Sequence, residues 1–288
     1  MKLRLFILLL LTGCTLLSDG QTTIGQTTIP TGFSRELTPV RGHYKALASL
    51  SPRPGYSGQE LDNLKFPFDK AMADVVLSQK PFYLQSVTLD DFQLPAPPAN
   101  SSEQTRAELN YLLALQHSRT PEEVRSSLYM SNIHETPGDV GRSIGYWTTT
   151  GKLPMTDTLL ENISHDVDFF LWSIKFKYSR PRPYMLDPRI HDLEESRAAS
   201  YPSGHVTYAY IYAYIYQELA PEFTDLFIQK AYAMAHAREL IGVHYPSDSE
   251  GSRIFSRQFV DKLFQNKQFL HDFEKAKKEW ASRKGDYR

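Results

Sequence analysis

From about residue 101 onward the apolar positions recur every three or four residues. Leu159, Leu160, Ile163, Val167, Phe170, Leu171 and Ile174 share one helical face, the spacing of an amphipathic helix packed on a core, and predict a helix over 156–177. Ser101 and Ser102 are placed to cap a helix running to Leu115. Thr120-Pro121-Glu122-Glu123 opens another, with proline at the first helical position and acid in the first turn. Further helices are predicted over 221–240, 253–264 and 267–283. The run from Tyr208 to Tyr216 alternates Tyr with Ala or Ile and is rich in strand formers. Both alternating sets are apolar, however, and Ser203-Gly204 supplies a helix start, so it reads as a buried helix. With no partner strands around it, the pattern predicts an all-α fold, a single-domain helical bundle over 101–285.

Upstream the pattern changes. Residues 36–100 carry turn signals at Pro39, Pro52, Pro54-Gly55, Pro95, Pro97 and Pro98 and read as an irregular N-terminal extension with one helix, 57–77. Residues 14–35 are rich in Thr, Gln, Gly and Ser, and Gln21-Thr-Thr-Ile-Gly25 repeats as Gln26-Thr-Thr-Ile-Pro30, the composition of a flexible tether. Residues 1–13 combine Lys2 and Arg4 with the apolar run 5–11, too short to span a bilayer and matching a signal peptide. The leader ends in Leu11-Thr12-Gly13-Cys14, which resembles the bacterial lipoprotein box. That resemblance implies lipidation of Cys14 and a lipid anchor in the outer membrane, on the periplasmic side. An ordinary cleaved leader, giving a soluble periplasmic or secreted protein, is the alternative. After the leader no uninterrupted apolar run is long enough to cross a membrane.

Composition narrows the function classes. A hydrophobic content of 41% is enough for a core, and a formal charge of −1 offers no basic surface to nucleic acid. Loss of residues 1–13 removes Lys2 and Arg4 and moves that charge from −1 to −3. The single cysteine, Cys14, excludes a disulfide within one chain.

Candidate chemistry lies in three blocks. In Pro202-Ser203-Gly204-His205, a serine at the N-cap followed by glycine exposes the first backbone N–H groups of a helix, an anion site toward which His205 would point. Alone, the tetrapeptide also reads as a capped turn with a surface histidine. In the second block, Gly242 is expected to end the helix over 221–240 and Pro246 to prevent its resumption, which places His244 in a rigid loop. Asp248 can accept the Nδ1 proton of His244 and leave Nε2 with a lone pair. Arg238 sits one turn upstream, where a dipole-favoured arginine is commonplace. The third block is Lys175-x6-Arg182-Pro183. In Arg180-Pro181-Arg182-Pro183 both arginines precede prolines and are pushed out of the α region, a stiff loop presenting a guanidinium suited to two phosphate oxygens.

In order and spacing these blocks resemble the signature of the PAP2 acid phosphatase and vanadium haloperoxidase superfamily, K-x6-RP, PSGH and SR-x5-H-x3-D. The leader, the size and Ser200-Tyr-Pro-Ser-Gly-His205 are closest to the bacterial class A non-specific acid phosphatases. The departure is Ala237 where the pattern has serine, which puts a supporting hydrogen bond in doubt. The resemblance implies a helical bundle of the acid phosphatase type that hydrolyses phosphomonoesters through a phosphohistidine. His244 would be the nucleophile, Asp248 its orienting partner and His205 the general acid and then base. Lys175, Arg182, Ser203, Gly204 and Arg238 would bind the phosphate oxygens. No cofactor or metal is implied; vanadate is expected as an inhibitor, and no HExxH or Cys–His spacing is present. With His244 neutral, its pKa raised by Asp248, and His205 protonated, the rate should peak at about pH 5–6.5. The implied partners are a small phosphorylated substrate and a membrane through Cys14, with a homo-oligomer open. A vanadium-dependent haloperoxidase, a membrane-associated lipid phosphatase and a non-enzymatic phosphate-binding lipoprotein are the competing readings. Loops in 80–155 and 184–200 are expected to select the leaving group, with Arg142, Tyr146 and Trp147 as candidates for the mouth.

Overall fold

A computed structural model of the chain describes residues 55–68, 70–131 and 151–283. The leader, Cys14, the tether, the extension before residue 55, and Arg142, Tyr146 and Trp147 lie outside the described residues. Among the described residues the regular structure is helical, without strands: α1 (Gly58–Asn63), α2 (Lys70–Ser78), α3 (Glu103–Ser118), α4 (Pro121–Met130), α5 (Pro154–Tyr178), α6 (Pro183–Leu186), α7 (Gly204–Leu219), α8 (Thr224–Leu240), α9 (Pro246–Leu263) and α10 (Lys267–Ser282). No helix in them is long and apolar enough to cross a membrane.

The tyrosine-rich run is a helix because it is enclosed on every side. In α7 every residue from Ala209 to Tyr216 is buried, against α8 and α9 above all, and Ile211 and Ile215 each contribute about 1.5–3 kcal/mol of burial free energy. Helix α10 closes the bundle against α5: the Trp280 indole donates to Thr156 Oγ1 at 2.9 Å and its ring lies 5.4 Å from Tyr216. The chain before α3 belongs to the same core. Phe92 packs edge-on against Phe170, and Asp166 of α5 accepts the backbone N–H groups of Phe82, Tyr83 and Leu84.

Helix starts follow capping chemistry. Thr120 and Glu123 exchange hydrogen bonds with each other's backbone, with Pro121 at the first position of α4. Two predicted boundaries are corrected. The single helix over 57–77 is two, α1 and α2: Pro67 lacks a donor and biases Phe66 away from the α region, and the Phe66 N–H goes instead to the Ser179 carbonyl at 2.8 Å. The helix expected from 253 begins at Pro246. Pro246 is not a stop but the first helical residue, and Asp248, at the third position, accepts the Tyr245 N–H at 3.0 Å. His244 therefore lies immediately before a helix that carries its partner carboxylate. Gly242 does end α8, at φ +80°. In α9, a Cβ on Gly251 would come within 2.6 Å of Tyr201 Cζ, so the tyrosine ring lies directly on the glycine, with its hydroxyl donating to the Pro95 carbonyl at 2.6 Å.

Candidate active site

The helix ends bring the three sequence blocks into one buried cluster. Lys175 comes from the last turn of α5, Arg182 from the N-cap of α6, and Ser203, Gly204 and His205 from the start of α7. Arg238 comes from the last turn of α8, and His244 and Asp248 from the start of α9. His244 is 2% exposed and Asp248 is fully buried. His244 Nδ1 lies 3.1 Å from Asp248 Oδ2, and Arg182 Nη1 lies 2.9 Å from His244 Nε2. A guanidinium can only donate. Nε2 therefore carries the lone pair, and Nδ1 carries the proton that Asp248 accepts.

Two of the cations, Arg182 and Lys175, are held by backbone. Arg182 donates from Nε to the Ala198 carbonyl at 2.8 Å and from Nη1 to the Val243 carbonyl at 2.7 Å. Lys175 Nζ donates to the carbonyls of Ala199 and Pro202 at 2.7 and 2.6 Å, which commits two of its three protons to the loop leading into α7. Ser203 is the N-cap of α7, yet its hydroxyl makes no cap hydrogen bond and has no partner among the described residues. Its N–H reaches the Asp248 carbonyl only at 3.4 Å. The Gly204 N–H, first in the helix, has no intrahelical acceptor.

The other half of the cluster is partnered differently. Arg238 makes a bidentate pair with Glu194, at 2.8 and 2.6 Å, and donates to Ser131 Oγ at 2.5 Å. Its buried Nε has no partner among the described residues. His205 Nε2 lies 2.7 Å from the Ser131 carbonyl oxygen, which only accepts, so Nε2 is the protonated nitrogen.

Electrostatics follow from burial and crowding. Burial, then the neighbouring Arg182, pushes Lys175 well below the usual lysine range, and burial brings Arg182 down to about 10. Desolvation would raise Asp248, but Arg180 and the hydrogen bond from His244 outweigh it and hold the carboxyl below its ordinary value. Two expectations are overturned. Asp248 does pull His244 upward, but burial and Arg182 outweigh it, and His244 is pushed well below 6.5. His205 is lowered to about 4 by burial and then by Arg238, so the ligand-free enzyme holds it neutral at pH 5–6.5. A bound anion, by adding negative charge among these cations, would raise both histidines.

Several site residues escaped the motif reading. Ser200 donates to Asp248 Oδ2 at 2.5 Å. Arg180, noticed only as part of a stiff loop, donates to Asp248 Oδ1 at 2.6 Å and reaches Glu108 Oε2 at 3.4 Å. Glu194 and Ser131 engage Arg238. The one available signal was Glu108 itself, an acid among the apolar positions of α3. No group of three or more His, Cys, Asp or Glu among the described residues is placed to hold a metal.

Residues 159–260 match the PAP2 superfamily, and this stretch contains every residue of the cluster named in the sequence motifs. Over that stretch the chain is similar to the PAP2 superfamily. It is also similar to two curated proteins. The non-specific acid phosphatase of Providencia stuartii is 32% identical over 148 residues, covering 49% of this chain and 60% of the relative. The acid phosphatase of Zymomonas mobilis is 24% identical over 185 residues, covering 62% of this chain and 66% of the relative. The matches thus span under two thirds of each relative's length. A solved transmembrane PAP2 type phosphatidylglycerolphosphate phosphatase from Bacillus subtilis overlaps 56% of this chain and 85% of its own, at 18% identity and a TM-score of 0.40, too low an overlap to carry weight.

Proposed function

We propose that the protein is an acid phosphatase that hydrolyses phosphomonoesters through a phosphohistidine on His244 and without a metal ion. The observation that carries this reading is the His244 ring: its Nε2 lone pair faces Arg182, and its Nδ1 is bonded to a buried carboxylate. An imidazole so oriented is a nucleophile, and Lys175 and Arg182 beside it, both depressed chiefly by burial, are held by backbone carbonyls, with no carboxylate bonded to either among the described residues. Acid phosphatase relatives support the same class.

In this mechanism the phosphate displaces Arg182 from Nε2, and the Arg182 fork turns to two non-bridging oxygens. Lys175, Arg238, the Gly204 N–H and the Ser203 hydroxyl take the remainder, where charge shifts in the transition state. Nε2 attacks phosphorus, the bond to the ester oxygen breaks, and the departing alkoxide takes a proton from His205. That proton is acquired on binding, when the phosphate charge raises the His205 pKa from about 4. His205 then takes a proton from water as the hydroxide attacks phosphorus, the N–P bond breaks, and its electron pair returns to Nε2. Asp248 holds the ring and balances the positive charge of the intermediate. The cations supply what a metal ion supplies in other phosphoryl transfers.

The test is a panel of p-nitrophenyl phosphate, nucleotides, phytate, phosphatidate and pyrophosphate, assayed with wild type and His244→Ala, with and without chelator. Wild type is expected to hydrolyse monoesters in acid whether or not chelator is present. His244→Ala should lose at least about 10³-fold in kcat and form no acid-labile phosphoenzyme on early quenching. Labelling of the variant at the wild-type level would place the nucleophile elsewhere, and vanadate-dependent halide oxidation would move the reading to an oxidoreductase.

A further inference from the structure

Behind the His244–Asp248 pair lies a second buried ion network that the proposed chemistry does not use. Arg180 is 2% exposed and Glu108 is 0% exposed. The Arg180 guanidinium is shared between two carboxylates: Nη1 to Asp248 Oδ1 at 2.6 Å and Nη2 to Glu108 Oε2 at 3.4 Å. Its face stacks on the Tyr245 ring, with Cζ 3.9 Å from the centroid. Glu108 in turn accepts the Ser247 N–H at 3.0 Å and the Ser247 hydroxyl at 2.7 Å, and Ser247 Oγ accepts from Arg180 Nη1 at 2.8 Å. Both carboxylates thus serve the first turn of α9, where orphan N–H groups and the positive helix end favour anions. Arg180 ties them together.

Resting on the phosphohistidine reading, we infer that Arg180 and Glu108 are positioning residues that set how much negative charge Asp248 presents to His244, and thereby the pH at which His244 becomes a nucleophile. Glu108, Arg180 and Asp248 form an alternating minus–plus–minus row, one net negative charge behind the imidazole. The other charges that act on His244 come from other elements: Arg182 at the N-cap of α6 and Lys175 on α5. Both are cations, and neither offsets a change in that row. Taking the positive charge out of the row favours imidazolium and raises the His244 pKa; taking the outer negative charge out does the opposite. Burial makes the effect larger than a surface pair would give, because little solvent screens it.

The experiment is the acid limb of kcat/KM for p-nitrophenyl phosphate, which reports the His244 ionisation in the free enzyme. Arg180→Gln should move the limb up and Glu108→Gln should move it down, each by about half to one pH unit. The double variant, which restores the net charge of the row, should return it to the wild-type position. Arg180→Lys, which keeps the charge and loses the fork, should lower kcat with the limb unmoved. A role confined to holding the fold together predicts lost activity with no opposed shifts. Limbs that stay in place, or that move in one direction for both single variants, overturn the inference. Should Arg180→Gln fail to fold, Glu108→Gln decides alone, since its amide oxygen still accepts from Ser247. An inactive wild type would sink the phosphatase reading and this inference with it, whereas an active wild type with unmoved limbs sinks only the inference.

Discussion

The two histidines of the buried cluster sit in unlike surroundings. Around His244 every partner is buried and bound on its far side as well: Asp248 to Ser200, Arg180 and the Tyr245 N–H, Arg182 to the carbonyls of Ala198 and Val243. Around His205, among the described residues, stand the Ser131 carbonyl at the end of α4 and, through its charge, Arg238, already paired to a partly exposed carboxylate. The His244–Asp248 pair is oriented before any ligand arrives, and in the proposed mechanism only the Arg182 fork in this half must turn when phosphate binds. In the proposed mechanism the second half exchanges partners, because Glu194 and the phosphate compete for the same fork. There the nucleophile needs one ring orientation, whereas the acid must gain its proton only when substrate is bound.

The contrast can be broken in three ways. The largest expected effect is on the fixed half. Asp248→Asn should cost about 10³-fold in kcat, because an amide can present a donor to Nδ1 and reverse the tautomer. KM should stay within about threefold, since Asp248 makes no contact with the phosphate in this mechanism. A loss confined to KM would mean that Asp248 organises the anion site and not the ring. On the exchangeable half, His205→Ala should cost about 10²–10⁴-fold with an alkyl phosphate and far less with p-nitrophenyl phosphate, whose leaving group departs without a proton. Equal losses on the two substrates would remove His205 from the proton-transfer step. The smallest effect belongs to Glu194→Gln. Freed of its bidentate partner, Arg238 should bind phosphate more tightly, lowering the inhibition constant of inorganic phosphate by about three- to tenfold, or roughly 1 kcal/mol. An unchanged constant would show that Arg238 keeps Glu194 in the complex, and that the second half is as fixed as the first.

What could be read from the sequence was whatever is encoded at short range. His244 and Asp248 are four residues apart, and Ser203, Gly204 and His205 adjoin, so spacing alone put each set at a helix end. The Tyr208 to Tyr216 helix was legible from the absence of a polar face. Pro246 misled because one residue type both stops helices and starts them, and the deciding feature, Asp248 bonding back to the Tyr245 N–H, is a contact and not a pattern. Glu108 and Arg180 lie 72 positions apart, and no local rule joins them. Nor could spacing show which force acts more strongly on His244. Asp248 beside it argues for a raised pKa, and only the depth of burial and the position of Arg182 reverse that sign.

Tyr201 stands beside Ser200, the hydroxyl partner of Asp248, and two residues before Ser203. Its ring rests on Gly251. At nearly every position around the site, an alanine scan takes atoms away and asks what their loss does. At Gly251 the same scan adds an atom where the Tyr201 ring already is. The ring would have to yield, and the serines on either side of it would be carried along. A map of this site drawn from charges and hydrogen bonds leaves Gly251 blank, although a methyl group there would reach Ser200 and Ser203 through the Tyr201 ring.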